Sequence, residues 1–402
     1  MLEGLKVVEF STWVAGPSAA MVMADWGADV IKVESRTGDP VRNLFAARED
    51  VTGNPVFDLQ NRGKRSLVLD TGTADGRAAL LRVLAGADIF ITNLRPGALK
   101  RARLDYDAIK DELPRLIYAS VTGYGLEGDG VDLPAFDLAA FWTRSGVGGA
   151  TIPDGIDPFF CRPGMGDSAC ALATASAALA AVIERGRTGK GRLVETSLIR
   201  TGSYAVGWDL SIQLKFGEHN RAVPRARTQS AVSNYFKTAD GHWVSVSVRS
   251  PRDWPAIAAG IGHPELVADP RFATPMDRVA NAQALLAILD AAFSRLSLDE
   301  AAERLTKADV IWAPLQSLAQ VAEDPYAHAA GCFIEVENAL GERFMAPASP
   351  ARLPGDTEPG HRKGAPPLGA HTREILIAAG YAPGEVDALV ESGAAVDLRE
   401  DA

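Results

Sequence analysis

The first third of the chain alternates two hydrophobic patterns, one typical of buried strands and one typical of helices. Short runs rich in Val and Ile predict strands that are buried on both faces: LKVVEF, DVIKVE, RSLVLD, DIFITNL and LIYASVTGYG. Segments with helical spacing, such as PSAAMVMADWGA and TADGRAALLRVLAGA, lie between several of them. This alternation predicts a doubly wound α/β layer, in which ligands bind beyond the carboxyl ends of the strands. The first strand-to-helix turn, STWVAGPSAA, holds a single glycine and therefore lacks the dinucleotide-binding fingerprint.

A different pattern begins after residue 225. The stretch NYFKTADGHWVSVSV predicts a hairpin that turns at Asp240–Gly241, and two helical segments follow, ANAQALLAILDAAFSRL and LDEAAERLTKADV. We therefore predict two domains joined by a connector: a large, doubly wound Rossmann-like α/β domain formed by residues 1–200 and 326–402, a linker helix and connector at 201–225, and a smaller α+β domain at 226–325.

Composition and charge narrow the functional classes. The formal net charge of −10 over 402 residues leaves no basic stripe for nucleic acid. Cys161, Cys170 and Cys332 are too scattered for a disulfide framework or a zinc site, and the six histidines show no metal-ligand spacing. The N-terminus has no signal-peptide pattern, and no apolar run of about 20 residues stands out. We therefore expect a reduced, cytoplasmic protein without a metal, a prosthetic group or a membrane partner.

One aspartate stands out as a candidate for chemistry. The stretch RPGMGDSACALATASAALAAVIER places Asp167 between a glycine-rich turn and an alanine-rich helix. An aspartate there is a favoured helix cap, because its carboxylate accepts a hydrogen bond from an unpaired backbone N–H. Gly164 and Gly166 favour a second interpretation, a nucleophile that a ligand approaches closely. In that case we expect the field of the helix N-terminus to keep the carboxylate ionised. The residues alone leave both interpretations open.

Several motifs along the chain resemble those of a known family. The opening LEGLKVVEFSTWVAGPSAAMVMADWGADVIKVESRTGDPVR is followed in order by NRGKRSLVLD, ADIFITNLRPGAL, the GDS segment, TADGHWVSVSV and PPLGAHTREIL. These stretches are similar to the family III CoA-transferases, which include formyl-CoA:oxalate and carnitine CoA-transferases and the related α-methylacyl-CoA racemases. The resemblance implies an enzyme that acts on acyl-CoA and a carboxylic acid. It also implies a homodimer whose two chains interlock.

The resemblance also assigns roles to individual residues. The aspartate of the GD motif is the nucleophile in these transferases, and that position is Asp167 here. The implied reaction passes through an aspartyl anhydride and then an aspartyl-CoA thioester. Candidate contacts to CoA lie mostly after the predicted strands: Arg36, Leu59, Asn61, Lys64, Arg65, Asn93, Leu94, Arg101, Tyr124 and Gly166. For the basic members the alternative is a solvated surface position, which is common for Lys and Arg.

The racemases of this group carry two motifs that are altered here, and one is an EPQ after a strand of the second domain, where this chain has Val248, Arg249 and Ser250. They use a histidine in a GHD motif as a proton-transfer group, and the corresponding stretch here, PAFDLAAFWTRSG, has Phe136 in its place and keeps Asp137. A phenylalanine cannot exchange protons, so the predicted activity is CoA transfer. An acyl-CoA racemase and a non-catalytic acyl-CoA-binding protein remain as alternatives. Phe141 and Trp142 are candidates for packing an acyl group, although aromatic side chains on helices more often belong to the core.

Overall fold

The computed structural model describes residues 1–48, 53–159, 161–219, 221–250, 252–352 and 362–398. Contacts divide the chain into two compact units. The larger comprises residues 1–150, 159–219 and 329–402, and the smaller comprises residues 151–158 and 220–328. The smaller unit thus includes a short segment, 151–158, that is distant from the rest of it in sequence.

A seven-stranded sheet forms the centre of the larger unit. Its strands are β1 (Lys6–Phe10), β2 (Asp29–Glu34), β3 (Arg65–Leu69), β4 (Ile89–Thr92), β5 (Ile117–Thr122), β6 (Leu193–Ser197) and β13 (Ala395–Val396). The order is β13-β3-β2-β1-β4-β5-β6, and only β13 pairs antiparallel to its neighbour. The predicted α/β fold with a parallel sheet is therefore confirmed. The strand order reverses between β1 and β4, the point at which such sheets bind ligands.

Helices accompany the parallel strands, as the alternating pattern predicts. In the larger unit they are α1 (Ala15–Asp25), α2 (Pro55–Asn61), α3 (Ala74–Leu84), α4 (Pro96–Ala102), α5 (Tyr106–Ile109), α6 (Val147–Thr151), α7 (Met165–Thr188), α8 (Leu198–Ala205), α9 (Gly207–Phe216), α16 (Thr372–Ala378) and α17 (Pro383–Glu391). A π-helical segment spans Leu138–Arg144. A separate three-stranded sheet contains β10 (Phe333–Glu337), β11 (Arg343–Pro347) and β12 (Arg362–Lys363).

Helix α7 is the longest helix and packs against α1. Its small residues, including Ala171, Ala175 and Ala178, are buried, and so are Ala19 and Ala20 of α1. Small side chains on both helices let the two backbones approach closely. By length and composition alone α7 could cross a membrane, contrary to the expectation from sequence. The core helix of a globular protein passes the same test.

The smaller unit contains an antiparallel sheet and several short helices. The strands are β7 (Asn234–Lys237), β8 (Trp243–Ser247) and β9 (Ile311–Pro314), and the helices are α10 (Asp253–Gly260), α11 (Pro275–Ala280), α12 (Ala282–Phe293), α13 (Leu298–Lys307), α14 (Leu318–Glu323) and α15 (Pro325–Ala329). The predicted hairpin is confirmed: β7 and β8 pair antiparallel, and Gly241 adopts a φ of +86° in the turn. Phe236 and Phe293 stack at a centroid distance of 4.5 Å in the core.

Four buried charges connect β1, β2 and the segments that follow them. The Lys32 Nζ donates to Glu9 Oε1 at 2.9 Å and to Asp39 Oδ2 at 3.0 Å, and the Lys64 Nζ donates to Glu9 Oε2 at 2.6 Å. All four side chains are shielded from solvent. Burial alone would raise the pKa of Glu9, but the two ammonium groups outweigh it and lower that pKa to about 2. Glu9 therefore remains ionised and holds the network together.

We predict that Glu9→Gln destabilises the larger unit strongly. The substitution leaves two buried ammonium groups with one carboxylate, and removing one partner from a buried ion pair typically costs about 3–5 kcal/mol. Urea unfolding followed by circular dichroism measures the loss. The control is Asp107→Asn, which breaks the exposed pair of Asp107 with Lys110 and is expected to change stability very little. Equal stability of Glu9→Gln and the wild type would contradict this role for the network.

Candidate active site

A cavity of about 290 Å³ opens at the carboxyl ends of the central parallel strands. Its walls come from the segments that follow β1, β4, β5 and β6, which is where the strand order predicts a ligand site. The lining residues are Thr12, Trp13, Val14, Ala15, Asn93, Leu94, Arg95, Pro96, Val121, Thr122, Gly123, Val131, Leu133, Pro134, Ala135, Phe136, Asp167 and Leu198. The cavity thus brings together Asp167 and two of the predicted CoA contacts, Asn93 and Leu94.

Asp167 lies in the first turn of α7 but does not cap it. The residue before the helix is Gly164, with a φ of +77° and no side-chain cap. The carboxylate of Asp137 instead accepts a hydrogen bond from the backbone N–H of Gly166 at 3.1 Å. The interpretation of Asp167 as the helix cap is therefore wrong. Among the residues that the structure describes, none donates a hydrogen bond to the Asp167 carboxylate, so this group is available to a ligand.

Gly166 is required where the helix start meets the π-helical segment. A Cβ atom at this position would lie 2.1 Å from the Phe141 Cγ and 2.5 Å from the Asp137 Oδ1. Phe141 and its neighbour in sequence Trp142 are both buried, so these two aromatic residues belong to the core. The structure thus gives Gly166 a packing reason, while its contact with CoA stays a prediction.

The pKa of the Asp167 carboxyl differs from the expectation based on the helix dipole. Burial and the negative charge of Asp137 raise that pKa to about 7, so the prediction of a fully ionised group was wrong. The physical reason is that Asp137 already accepts the N–H group of the helix start. Burial also raises the pKa of Asp137, although backbone N–H groups from Gly164 to Asp167 oppose that rise. The site therefore contains two carboxyl groups with raised pKa values, and the charge of Asp137 disfavours the ionisation of Asp167.

Asn93 holds the loop that follows β1. Its Oδ1 accepts the N–H of Thr12 at 2.9 Å, and its Nδ2 donates to the carbonyl oxygen of Thr12 at 2.6 Å. The oxygen and the nitrogen of the Asn93 amide thus both form hydrogen bonds within the chain. The rest of the side-chain surface lines the cavity. Leu94 adds an apolar surface to the same wall.

Three other predicted contacts lie outside the residues that line the cavity. Arg36, after β2, is exposed. Its guanidinium lies close to Gly393, 3.1 Å from where a Cβ atom on that glycine would stand. Arg101 is exposed near the end of α4. Tyr124 is partly buried, and the Arg144 guanidinium lies 5.5 Å from its ring centre. The two arginines have the exposure that a contact with phosphate groups requires.

The stretch from Leu59 to Arg65 is engaged within the chain. The Lys64 Nζ donates to the Asn61 Oδ1 at 2.9 Å in addition to Glu9, and both residues are buried. Arg65 forms ion pairs with Asp29 at 2.6 Å and with Glu374 at 2.9 Å, and Leu59 is half-buried on α2. The lysine in particular has its donors satisfied by protein oxygens. As contacts to CoA, these residues stay predictions that the geometry does not favour.

Two aromatic residues at the cavity were missed as site residues. Trp13 and Phe136 have rings 5.2 Å apart at 83°, and their exposed fractions are 40% and 58%. The sequence singled out Phe136 only because it replaces a histidine. The pairing of Trp13 with it depends on a backbone with a φ of +65°, which no local sequence pattern around a tryptophan indicates.

Comparison with known proteins places the chain in a family. The profile of CoA-transferase family III matches residues 2–372. The chain is 31% identical to an (R)-2-hydroxy-4-methylpentanoate CoA-transferase of Clostridioides difficile, over 95% of this chain and 96% of the relative. It is 27% identical to a formyl-CoA:oxalate CoA-transferase of Escherichia coli, over 98% of this chain and 99% of the relative.

The fold agrees with a solved structure. A CaiB/BaiF family protein from Brucella suis superposes with a TM-score of 0.82 at 31% identity, over 94% of this chain and 99% of that chain. The sequence match and the fold match each extend over nearly the whole chain, so the agreement is not confined to one domain. The chain therefore belongs to CoA-transferase family III.

Proposed function

We propose that the protein moves CoA from an acyl-CoA donor to a carboxylic acid, with Asp167 as the nucleophile. One observation carries this proposal: the Asp167 carboxylate lines the cavity while Asp137 bonds to the start of the helix. Asp167 does not cap the helix and pairs with no cation among the described residues, so a partly buried carboxylate there has no evident structural use. Membership of a CoA-transferase family supports the same reaction.

The first half of the reaction removes CoA from the donor. A carboxylate oxygen of Asp167 attacks the thioester carbonyl, and the C–S bond breaks to release CoA thiolate and leave an aspartyl acyl anhydride. The thiolate then attacks the aspartyl carbonyl, which releases the donor acid as a carboxylate and leaves an aspartyl-CoA thioester. Each addition places negative charge on a carbonyl oxygen, which backbone N–H groups and other donors stabilise.

The second half reverses these steps with the acceptor acid. The acceptor carboxylate attacks the aspartyl thioester, expels CoA thiolate and forms a second anhydride. The thiolate attacks the acceptor's carbonyl, which yields the new acyl-CoA and restores the Asp167 carboxylate. No proton is gained or lost over the cycle, so the chemistry needs an ionised aspartate and no general acid or base.

Asp137 acts in this proposal as a positioning residue. Its hydrogen bond with the Gly166 N–H holds the first turn of α7, and its charge raises the pKa of Asp167. A raised pKa makes the carboxylate a stronger nucleophile once it is ionised. Among the predicted CoA contacts, Asn93 and Leu94 line the cavity, and the exposed Arg36 and Arg101 are candidates for the phosphates of CoA.

The alternatives fit the cavity less well. A racemase of this group needs a second proton-transfer group, and Phe136 occupies the lining position where it would stand. A non-catalytic protein that binds CoA thioesters of uncharged acyl groups would have no use for a carboxylate inside the cavity, because such ligands carry no cation near the thioester to pair with it. We place the reaction in the cytoplasm, where CoA thioesters are available.

A homodimer is part of the proposal. Helices α8 and α9 carry four large apolar side chains that are 71–86% exposed: Tyr204, Trp208, Leu214 and Phe216. None of the residues of α9 is buried within the chain. An apolar surface of this kind typically marks a contact between proteins, and a second copy is the partner that the family resemblance implies.

We predict that Asp167→Asn abolishes CoA transfer while the protein stays folded. Asparagine cannot form the anhydride, and the helix loses no cap because Asp137 provides it. The assay follows label from an isotopically marked acid into acyl-CoA, and hydroxylamine added during wild-type turnover should convert Asp167 to a hydroxamate that mass spectrometry detects. The matched control is Asp75→Asn, in the first turn of α3 and away from the cavity. An Asp167→Asn enzyme that still transfers CoA would show that Asp167 is not the nucleophile.

We predict that kcat/KM for the acyl-CoA donor rises with pH through about 7, the pKa of Asp167. The protonated carboxyl is inactive below this pKa, and the carboxylate is fully formed above it. Asp137→Asn removes the neighbouring charge but keeps an acceptor for the Gly166 N–H, so it should shift the profile towards lower pH. A merely structural role for Asp137 would leave the midpoint of the profile in place.

We predict a stable homodimer. Light scattering at low concentration should give twice the chain mass of 42.5 kDa. An interlocked interface far exceeds the roughly 1,600 Å² of a standard interface, so dilution should not dissociate it. The control is Tyr326→Glu, which changes an exposed ring outside α8 and α9. A monomer at every concentration, or a dimer that Trp208→Glu leaves intact, would contradict this assignment of the surface.

A further inference from the structure

The aromatic pair at the cavity, Trp13 and Phe136, has a larger exposed fraction than aromatic side chains of a protein core. Trp13 and Phe136 meet edge to face, both line the cavity that holds Asp167, and each exposes a large fraction of its ring. Aromatic rings that stay exposed inside a concave site gain free energy when an apolar ligand covers them. Their place beside the nucleophile makes the acyl group of the substrate the part that would cover them.

The strained backbone that carries the indole is held by hydrogen bonds on both sides of Trp13. Trp13 has a φ of +65°, which is rare for a bulky residue and persists only when surrounding contacts impose it. Its backbone N–H donates to the Asp39 Oδ1 at 3.2 Å, and Asp39 is anchored by Lys32. On the other side, Asn93 holds both polar groups of the Thr12 backbone. The fold therefore maintains this arrangement at an energetic cost.

Part of the remaining wall is apolar. Val14, Val121, Leu133 and Leu198 contribute to it together with the two rings. Arg95 is the single basic side chain in the lining that the structure describes, and it is exposed. A second carboxylate on the acyl group would be held best by a buried cation, and the described lining contains none.

We propose that Trp13 and Phe136 determine the acyl specificity, and that the preferred substrates carry an apolar body, such as an aromatic ring or a branched alkyl chain. Small acyl groups leave the rings uncovered, and a dicarboxylic acyl group places a second carboxylate against them with no buried cation in the described lining to pair with it. This inference rests on the proposed transfer at Asp167 and adds the class of acid on which it acts.

Binding to a protein that cannot turn over tests the specificity directly. In the Asp167→Asn background, calorimetry compares 3-phenylpropanoyl-CoA, acetyl-CoA and succinyl-CoA. We expect 3-phenylpropanoyl-CoA to bind at least about tenfold more tightly than either of the others, the ratio that covering one ring produces. Adding Trp13→Gly should lower affinity for 3-phenylpropanoyl-CoA more than for acetyl-CoA and bring the ratio towards one. Glycine suits the positive φ, so this variant should fold.

Further variants separate specificity from structure. Phe136→Leu should reduce the same ratio by a smaller factor, and Tyr326→Leu, an exposed ring outside the cavity, should leave it unchanged. Succinyl-CoA bound as tightly as 3-phenylpropanoyl-CoA, or an equal loss for all three thioesters in Trp13→Gly, would overturn the inference. If 3-phenylpropanoyl-CoA binds preferentially but the wild type transfers no CoA, the acyl specificity is supported and the proposed function is refuted. If the wild type transfers CoA but shows no preference among the thioesters, the proposed function is supported and the acyl specificity is refuted.

Discussion

The hydrogen bond between the Asp137 carboxylate and the backbone N–H of Gly166 is the interaction on which the site depends. It stabilises the start of α7 with a residue that lies 29 positions earlier in the chain, so the aspartate in the helix's own first turn has no capping role. It also places two carboxyl groups near each other, so that the charge of Asp137 adds to the effect of burial in raising the pKa of Asp167 to about 7. The close approach requires Gly166, because a Cβ there would overlap the Phe141 ring. One contact thus explains the availability of Asp167, part of the rise in its pKa and the need for a glycine.

A second group of contacts holds the loop after β1, which carries Trp13 in the cavity wall. The buried charges around Glu9 hold Lys32, and Lys32 holds Asp39, which accepts the Trp13 N–H. The carboxyl end of β1 is thereby tied to β2 and to the loop that follows it. Because β1 and β4 flank the reversal of the strand order, the fixed loop lies where an open parallel sheet leaves room for a ligand. The ion network contributes no residue to the described lining of the cavity, yet through Asp39 it holds the backbone of Trp13, whose side chain lines that cavity.

The sequence predicted those features that depend on local pattern. Buried apolar runs indicated the parallel strands, the Asp240–Gly241 turn indicated a hairpin, and the glycine-flanked Asp167 was found at the start of a helix. It missed the features that depend on distant partners. No local sequence signal connects Asp137 with Gly166. Nor does the sequence around Lys64 distinguish it from a surface lysine, although its ammonium group is buried and bonded to Glu9 and Asn61. Likewise, the left-handed backbone of Trp13 follows from its tertiary contacts, since tryptophan itself disfavours that conformation.

As the nucleophile, Asp167 would exchange an oxygen atom with the acids that it activates. In the proposed cycle the bridging oxygen of the second anhydride comes from the acceptor carboxylate and remains on Asp167 when CoA thiolate attacks the acceptor carbonyl. Turnover with an acceptor acid labelled with oxygen-18 in its carboxylate, followed by mass spectrometry of the peptide that spans residues 163–185, measures this transfer. We expect Asp167 to gain one oxygen-18 atom after a turnover, and we expect the gain to require both substrates. CoA transfer at full rate without label on this peptide would show that Asp167 is not the nucleophile.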